Sequence, residues 1–308
     1  MSMRRRALYA PAILSTAIFS TLTGCGGGDG DDVSLTPGTS GNGAVNIAIT
    51  DAAVDFAQSV VLEFTGIELT PQTGNRITVN ITPVRSVDLL KLQNGVTLTL
   101  LQNQTVPVGN YTRIRFIVNA QSGGNSYVDL ATGARYPLVI PAGSETGLAL
   151  DRTFNVVKDG RLDLTVDFDL RKSIIATPTL DGNYAFKPAL RVVDNSQVGT
   201  ISGAVGPNLV NGNCQPYVYV FSGANVVPDD IDLASDIDPL VSVPVTLNNT
   251  TGAYTYRASF LEAGNYTVSY ACLTGTQDNP ELEDLFPFLR TLQATVTVGK
   301  TATVDFSN

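Results

Sequence analysis

Apolar side chains alternate with polar or small ones along most of this chain. Val45, Ile47 and Ile49 do so, as do Ile77, Val79 and Ile81, then Ile114, Phe116 and Val118, and then Leu162, Leu164, Val166, Phe168 and Leu170. Successive side chains of a strand point to opposite faces, so a period of two places each run's apolar residues on one face and leaves the other to water. From Val60 to Leu69 the phase slips. Leu62 and Phe64 sit at even positions, Ile67 and Leu69 at odd ones, and Gly66 at the switch predicts a β-bulge. Gly74-Asn75, Gly123-Gly124-Asn125, Asp159-Gly160 and Asp181-Gly182-Asn183 read as turns between the runs. Helical signals are confined to one short stretch, with Ser86 as its cap and Gly95 as its end. The pattern predicts an all-β chain of many short antiparallel strands at sandwich-like spacing.

The first residues are of another kind. Arg4, Arg5 and Arg6 precede an uncharged stretch from Ala7 to Leu22. That is long enough for the apolar part of a signal peptide and short for a membrane span, which needs about twenty apolar residues. Leu22-Thr23-Gly24-Cys25 resembles the lipobox of bacterial lipoproteins. The resemblance implies removal of residues 1–24 and acylation of Cys25. Two or more acyl chains anchor a protein stably, because each buried methylene contributes about 0.8 kcal/mol. Gly26, rather than Asp, after the cysteine implies the outer membrane, with the protein at its periplasmic face or on the cell surface. Residues 25–43, rich in Gly, Asp, Ser and Thr, cannot bury enough apolar surface to offset ordering and read as a tether.

Composition excludes several functions. The chain holds 19 basic residues, three of them in the leader, against 28 acidic ones, a balance that argues against binding nucleic acid. It has no histidine, which removes Ser-His-Asp and Cys-His chemistry and the usual zinc and haem ligation. It has no tryptophan, so stacking on sugars would fall to tyrosine and phenylalanine. With Cys25 assigned to lipid, Cys214 and Cys272 remain, and in an exported protein they are expected to pair. The chain-entropy model values such a loop at roughly 4 kcal/mol.

A boundary is expected near Asp194 to Val198, giving domains at 44–195 and 196–308. One echo links them: Pro107-Val108-Gly109-Asn110-Tyr111-Thr112 and Glu262-Ala263-Gly264-Asn265-Tyr266-Thr267 each open a strand after a turn, which suggests two related sandwiches. Gly199-Thr200-Ile201-Ser202-Gly203, Gly252-Ala253-Tyr254-Thr255-Tyr256 and Leu261 to Val268 resemble the transthyretin-like, or carboxypeptidase-regulatory-like, modules of bacterial surface proteins. Thr50-Asp51-Ala52, Asp88-Leu89-Leu90, the run Asp167 to Ser173 and Lys187-Pro188 resemble a bacterial lipoprotein family known only as a domain of unknown function. The resemblances imply two tandem antiparallel sandwiches of immunoglobulin or transthyretin kind and no activity to carry over.

Two acidic constellations stand out. Asp163, Asp167 and Asp169 share the polar face of one strand, where residues two apart lie about 6.5–7 Å apart. That spacing suits a glycosidase pair or calcium ligands, and equally a solvated or salt-bridged face with Arg171 neutralising Asp169. Asp229, Asp230, Asp232, Asp236 and Asp238 form an acidic loop that suits calcium, a hard cation, though without EF-hand spacing, and that otherwise reads as solvated. Asp278, Glu281, Glu283 and Asp284 make a further acidic patch among Leu285, Phe286, Phe288 and Leu289. The expected function is non-enzymatic: an envelope lipoprotein with a structural or adhesive role, binding protein or glycan through loops at the sandwich ends. The alternatives are a carboxylate-based enzyme acting on polysaccharide and a calcium-dependent adhesion module. No cofactor other than calcium is expected, and the oligomeric state is left open.

Overall fold

In the computed structural model, residues 41–52, 56–141, 148–174, 182–232, 237–274, 278 and 286–307 are described. The first half contributes β1 (Asn42–Ala52), β2 (Ala57–Pro71), β3 (Ile77–Asp88), β4 (Leu98–Pro107), β5 (Gly109–Val118) and β6 (Tyr127–Leu130). It continues with β7 (Arg135–Val139), β8 (Ala149–Val156), β9 (Arg161–Asp169), one helical turn α1 (Leu170–Ser173), β10 (Tyr184–Ala185) and β11 (Ala189–Asp194). These strands form a four-stranded sheet, β11-β9-β1-β4, and a seven-stranded one, β10-β7-β6-β2-β5-β8, with β3 also on β2. The second half holds β12 (Val198–Val205), β13 (Gln215–Ser222), β14 (Val241–Pro244), β15 (Thr246–Asn248), β16 (Ala253–Glu262), β17 (Gly264–Leu273), β18 (Phe288–Val296) and β19 (Thr301–Thr303). They make two four-stranded sheets, β15-β16-β12-β19 and β14-β13-β17-β18. The fold is therefore all-β, two β-sandwiches in tandem. Most pairings are antiparallel, but β1 with β9, β7 with β10 and β12 with β19 run parallel.

Each sandwich closes over the apolar faces that the alternation marks. Val45, Ile47 and Ile49 of β1 meet Leu62, Phe64, Phe116 and Phe168 in the first core. Rings Phe64, Phe116 and Phe168 pack mutually with centroids 5.7–6.1 Å apart, the separation aromatic pairs favour. Ile201, Val218, Val220, Val268, Tyr270 and Phe306 lie in the second core. The bulge sits where the phase slips: β2 breaks register between Phe64 and Gly66 against both β3 and β5. The expected helix does not form as drawn. Pairing of β3 with β2 continues to Asp88 opposite Val61, which holds Ser86 in the strand, and only a 310 turn remains at Leu89–Leu92. The Ser86 hydroxyl donates to Glu63 Oε2 at 3.3 Å instead of capping.

The sequence echo is a structural repeat. The Tyr111 hydroxyl donates to the Pro107 carbonyl at 2.8 Å, and the Tyr266 hydroxyl donates to that of Glu262, also four residues back, at 2.7 Å. Such a tyrosine corner fixes the crossover from one sheet to the other. The repeat extends further. β1 lies between β4, antiparallel, and β9, parallel, as β12 lies between β16 and β19. A Cβ at Gly43 would stand 2.5 Å from the Val157 carbonyl, and one at Gly199 2.5 Å from that of Thr297. Both glycines let the turn before β9 or β19 press against the first strand. Cys214 and Cys272 are bonded, with Cα atoms 5.3 Å apart across 58 positions, pinning the approach to β13 onto β17.

Candidate binding cleft between the sandwiches

On β9, Leu164, Val166 and Phe168 enter the first core, which sends Asp163, Thr165, Asp167 and Asp169 to the opposite face. In a lone sandwich that face would be wet. Here Val241 and Val243 of β14 and Ala258, Ser259 and Phe260 of β16 line a narrow gap together with Thr50, Asp51 and Asp167. Asp51, Thr165 and Asp167 are consequently buried, at 6%, 0% and 8% exposure.

Charged groups do not enter such a boundary alone, and each candidate carboxylate has a cation. Asp167 accepts from Arg191, directly opposite on β11, at 2.7 Å. Arg191 also donates to the Phe260 carbonyl at 2.6 Å. Phe260 has φ +60° and sits where β16 slips register against β12, so a bulge turns its carbonyl towards Arg191. Asp169 caps α1 by accepting from the Lys172 amide at 3.1 Å, and its carboxylate lies 3.8 Å from Lys172 Nζ. Burial pushes the Asp169 carboxyl up, against the pull of Lys172. Asp163, at the far end of β9, accepts from the Asn46 amide and pairs with Arg161 at 3.0 Å.

Two sequence expectations need correction. Asp169 takes Lys172 as its ion-pair partner, with Arg171 acting on it only as the weakest of the nearby charges, because β9 ends there and α1 rotates the next side chain off the face. The Arg171 guanidinium instead donates to Asp278 and, at 2.6 Å, to the Tyr219 hydroxyl, with its carbon 4.6 Å from the centre of the Tyr217 ring. Arg171 and Asp278 are buried, with side chains 2% and 0% exposed. The acidic loop is not simply solvated either. Asp229, Asp230 and Asp232 gather with ligand atoms within 4.8 Å of one another, and Asp230 and Asp232 are buried. Asp238 stands apart and pairs with Lys172 at 3.2 Å. Asp236, Glu281, Glu283, Asp284 and Leu285 lie outside the described residues, as do Leu22, Thr23, Gly24 and Cys25.

Between the sandwiches opens a cleft of about 720 Å3. Asp167, Asp169, Lys172 and Arg191 line one side, and Phe221, Val226, Val227, Ile237 and Asp238 line the other. The two acidic constellations that look separate in sequence thus meet here through Asp167, Asp169 and Asp238. Among the described residues, four cations of the first sandwich reach the second: Arg171, Lys172 and Arg191, and Arg152, which pairs with Glu262 at 2.7 Å. The sequence pattern singles out Arg171, with a different partner, and passes over Arg152, Lys172 and Arg191, although Lys172 stands in the run Asp167 to Ser173 and cations are scarce in this chain.

Comparison with known proteins bears on the first sandwich. A family model described as "Domain of unknown function (DUF4382)" matches residues 42–188, a little under half of the chain. No curated protein matches the chain by sequence. Among solved structures, the chain is similar to a leucine-rich repeat protein from Bacteroides thetaiotaomicron, with 16% identity, TM-score 0.22 and coverage of 87% of this chain and 27% of that one. It is also similar to a streptococcal ancillary pilin, at 13% identity and TM-score 0.20, covering 88% and 64%. A putative adhesin from Bacteroides ovatus is matched at 10% identity and TM-score 0.19, over 94% and 99%. The chain spans 27%, 34% and 64% of the first three structures matched.

Proposed function

We propose that this chain is a non-enzymatic, lipid-anchored protein of the bacterial envelope, held at the outer membrane through Cys25 and serving a structural or adhesive role. The observation that carries the non-enzymatic reading is the commitment of the carboxylates. A glycosidase needs two carboxyl groups facing one bond, one of them free to donate a proton. Asp167 is tied to Arg191 at 2.7 Å, and Asp169 caps a turn beside Lys172, both at a boundary between domains. The anchor rests on Leu22-Thr23-Gly24-Cys25, and the second sandwich is read as transthyretin-like on its sequence pattern. A rigid pair of sandwiches on a tether would present its loops and cleft to a protein or glycan partner.

The test is expression of the full chain and of Cys25→Ala in a diderm bacterium, followed by membrane fractionation and incubation of the purified proteins with a polysaccharide panel. The wild type is expected in the outer-membrane fraction, Cys25→Ala in the soluble one, and neither is expected to shorten a polysaccharide. Retention of Cys25→Ala on the membrane, or release of oligosaccharides, would overturn the reading.

A calcium-dependent form of the adhesive role is favoured by the gathering of Asp229, Asp230 and Asp232 with two of them buried. Three carboxylate ligands suit a cation that takes six to eight oxygens. It predicts a higher melting temperature with calcium than with EDTA, reduced by Asp230→Asn; identical melts in the two conditions would remove it.

A further inference from the structure

The cleft between the sandwiches combines an apolar wall with an imbalance of charge. Phe221, Val226, Leu190 and Leu240 form its sides. Val227 and Ile237 stand at the cleft with 76% and 42% of their surfaces exposed. Large apolar residues are ordinarily covered when grouped, and a concave group of this volume falls within the range of small-molecule sites, about 300–1,000 Å3. Among the described residues three carboxylates line the cleft, Asp167, Asp169 and Asp238, against two cations, Lys172 and Arg191. Lys172 Nζ is already shared between Asp238 at 3.2 Å, Asp169 at 3.8 Å and the Pro239 carbonyl at 2.8 Å. Arg191 is held by Asp167 and the Phe260 carbonyl. The lining is therefore one carboxylate in excess, with both cations already engaged. An anionic head would meet net negative charge in a partly dry site, whereas a cationic head would meet acceptors.

We propose that the cleft binds a small amphipathic organic cation, its apolar body against Val226, Val227 and Leu240 and its ammonium group at Asp169 and Asp238. The site deepens the proposed binding role and rests on the chain having one; the purified body tests it independently of the lipid anchor. An arriving ammonium would also relieve Asp169, which burial already disfavours as an anion.

The probes are phenylbutylamine, phenylbutanol and phenylbutyrate, which share one apolar body and differ in head charge. Binding to the full chain carrying Cys25→Ala would be measured by titration calorimetry and by protein chemical shifts. The amine is expected to bind at least tenfold more tightly than the acid, with the alcohol between. Asp169→Asn and Asp238→Asn together are expected to abolish the preference for the amine while the apolar part of the affinity survives, and Val227→Glu to leave the fold intact with shifts displaced at the cleft mouth. Equal binding of all three probes would overturn the charge assignment. Absence of binding, or shifts mapping away from Val226 and Leu240, would overturn the site. Neither result would touch the anchor, which the fractionation of Cys25→Ala reports.

Discussion

Two carboxyl groups show opposite responses to their surroundings. Glu63 accepts from the Asn119 and Asn125 amides at 3.0 Å and from the Ser86 hydroxyl at 3.3 Å. The Asn119 bond above all, then that of Asn125, holds its pKa below the ordinary 4.5 despite burial. A carboxylate with a lowered folded pKa stabilises the native state fully above the unfolded value and loses that contribution as pH falls through the folded one. Glu63→Gln is therefore expected to cost about 1–3 kcal/mol at neutral pH, with the difference from wild type shrinking below about pH 4.5 in urea titrations at stepped pH. Asp169 has the reverse sign. Its folded pKa is raised, first by burial, so the native state binds a proton more readily than the unfolded chain and stability falls as pH rises above 3.8. Asp169→Asn, which keeps a capping side chain, is expected to raise the urea midpoint at neutral pH and to leave it unchanged in acid. The alternation in sequence places Asp169 on the outer face of β9 but is silent on its burial, because a wet face and a docked polar face have the same pattern.

At the scale of strands and turns, the sequence is informative wherever a local rule decides the outcome. Gly66 marks the bulge because one extra residue inverts the facing of all that follow. The Gly-Asn-Tyr-Thr echo marks two tyrosine corners because each needs a turn, a following strand and a hydroxyl four residues from its acceptor. Tyr111→Phe and Tyr266→Phe are each expected to cost about 1 kcal/mol, measured by chemical denaturation. Gly43→Ala and Gly199→Ala should cost more, about 1–3 kcal/mol, since each added methyl meets a backbone carbonyl at 2.5 Å. Reduction of Cys214–Cys272 is expected to remove up to about 4 kcal/mol of stability, lowering the melting temperature of the joined sandwiches together. The expected helix at Ser86 fails for a long-range reason: β2 offers paired hydrogen bonds as far as Val61, and no cap at Ser86 competes with them. Local capping signals carry no information about a strand that lies more than twenty residues earlier in the chain.

Across the whole molecule, the decisive event is the docking of one sandwich on the polar face of the other, and sequence hides it. Arg191 and Asp238 lie well along the chain from Asp167 and Lys172, and each of the four reads singly as a surface charge. Together with Arg171, Tyr219 and Asp278 they join the two sandwiches and shape the cleft. Buried ion pairs are costly to break singly, about 3–5 kcal/mol, because the partner is left charged and dry. The boundary should therefore fail abruptly when its cations are removed. The most direct measurement is differential scanning calorimetry of the Cys25→Ala protein with and without Arg171→Met and Arg191→Met. One cooperative transition is expected for the parent, and two separate transitions, the sandwiches melting independently, for the doubly substituted chain. Two independent transitions in the parent, or a single unshifted one in the doubly substituted chain, would contradict the account that these side chains fasten the sandwiches together.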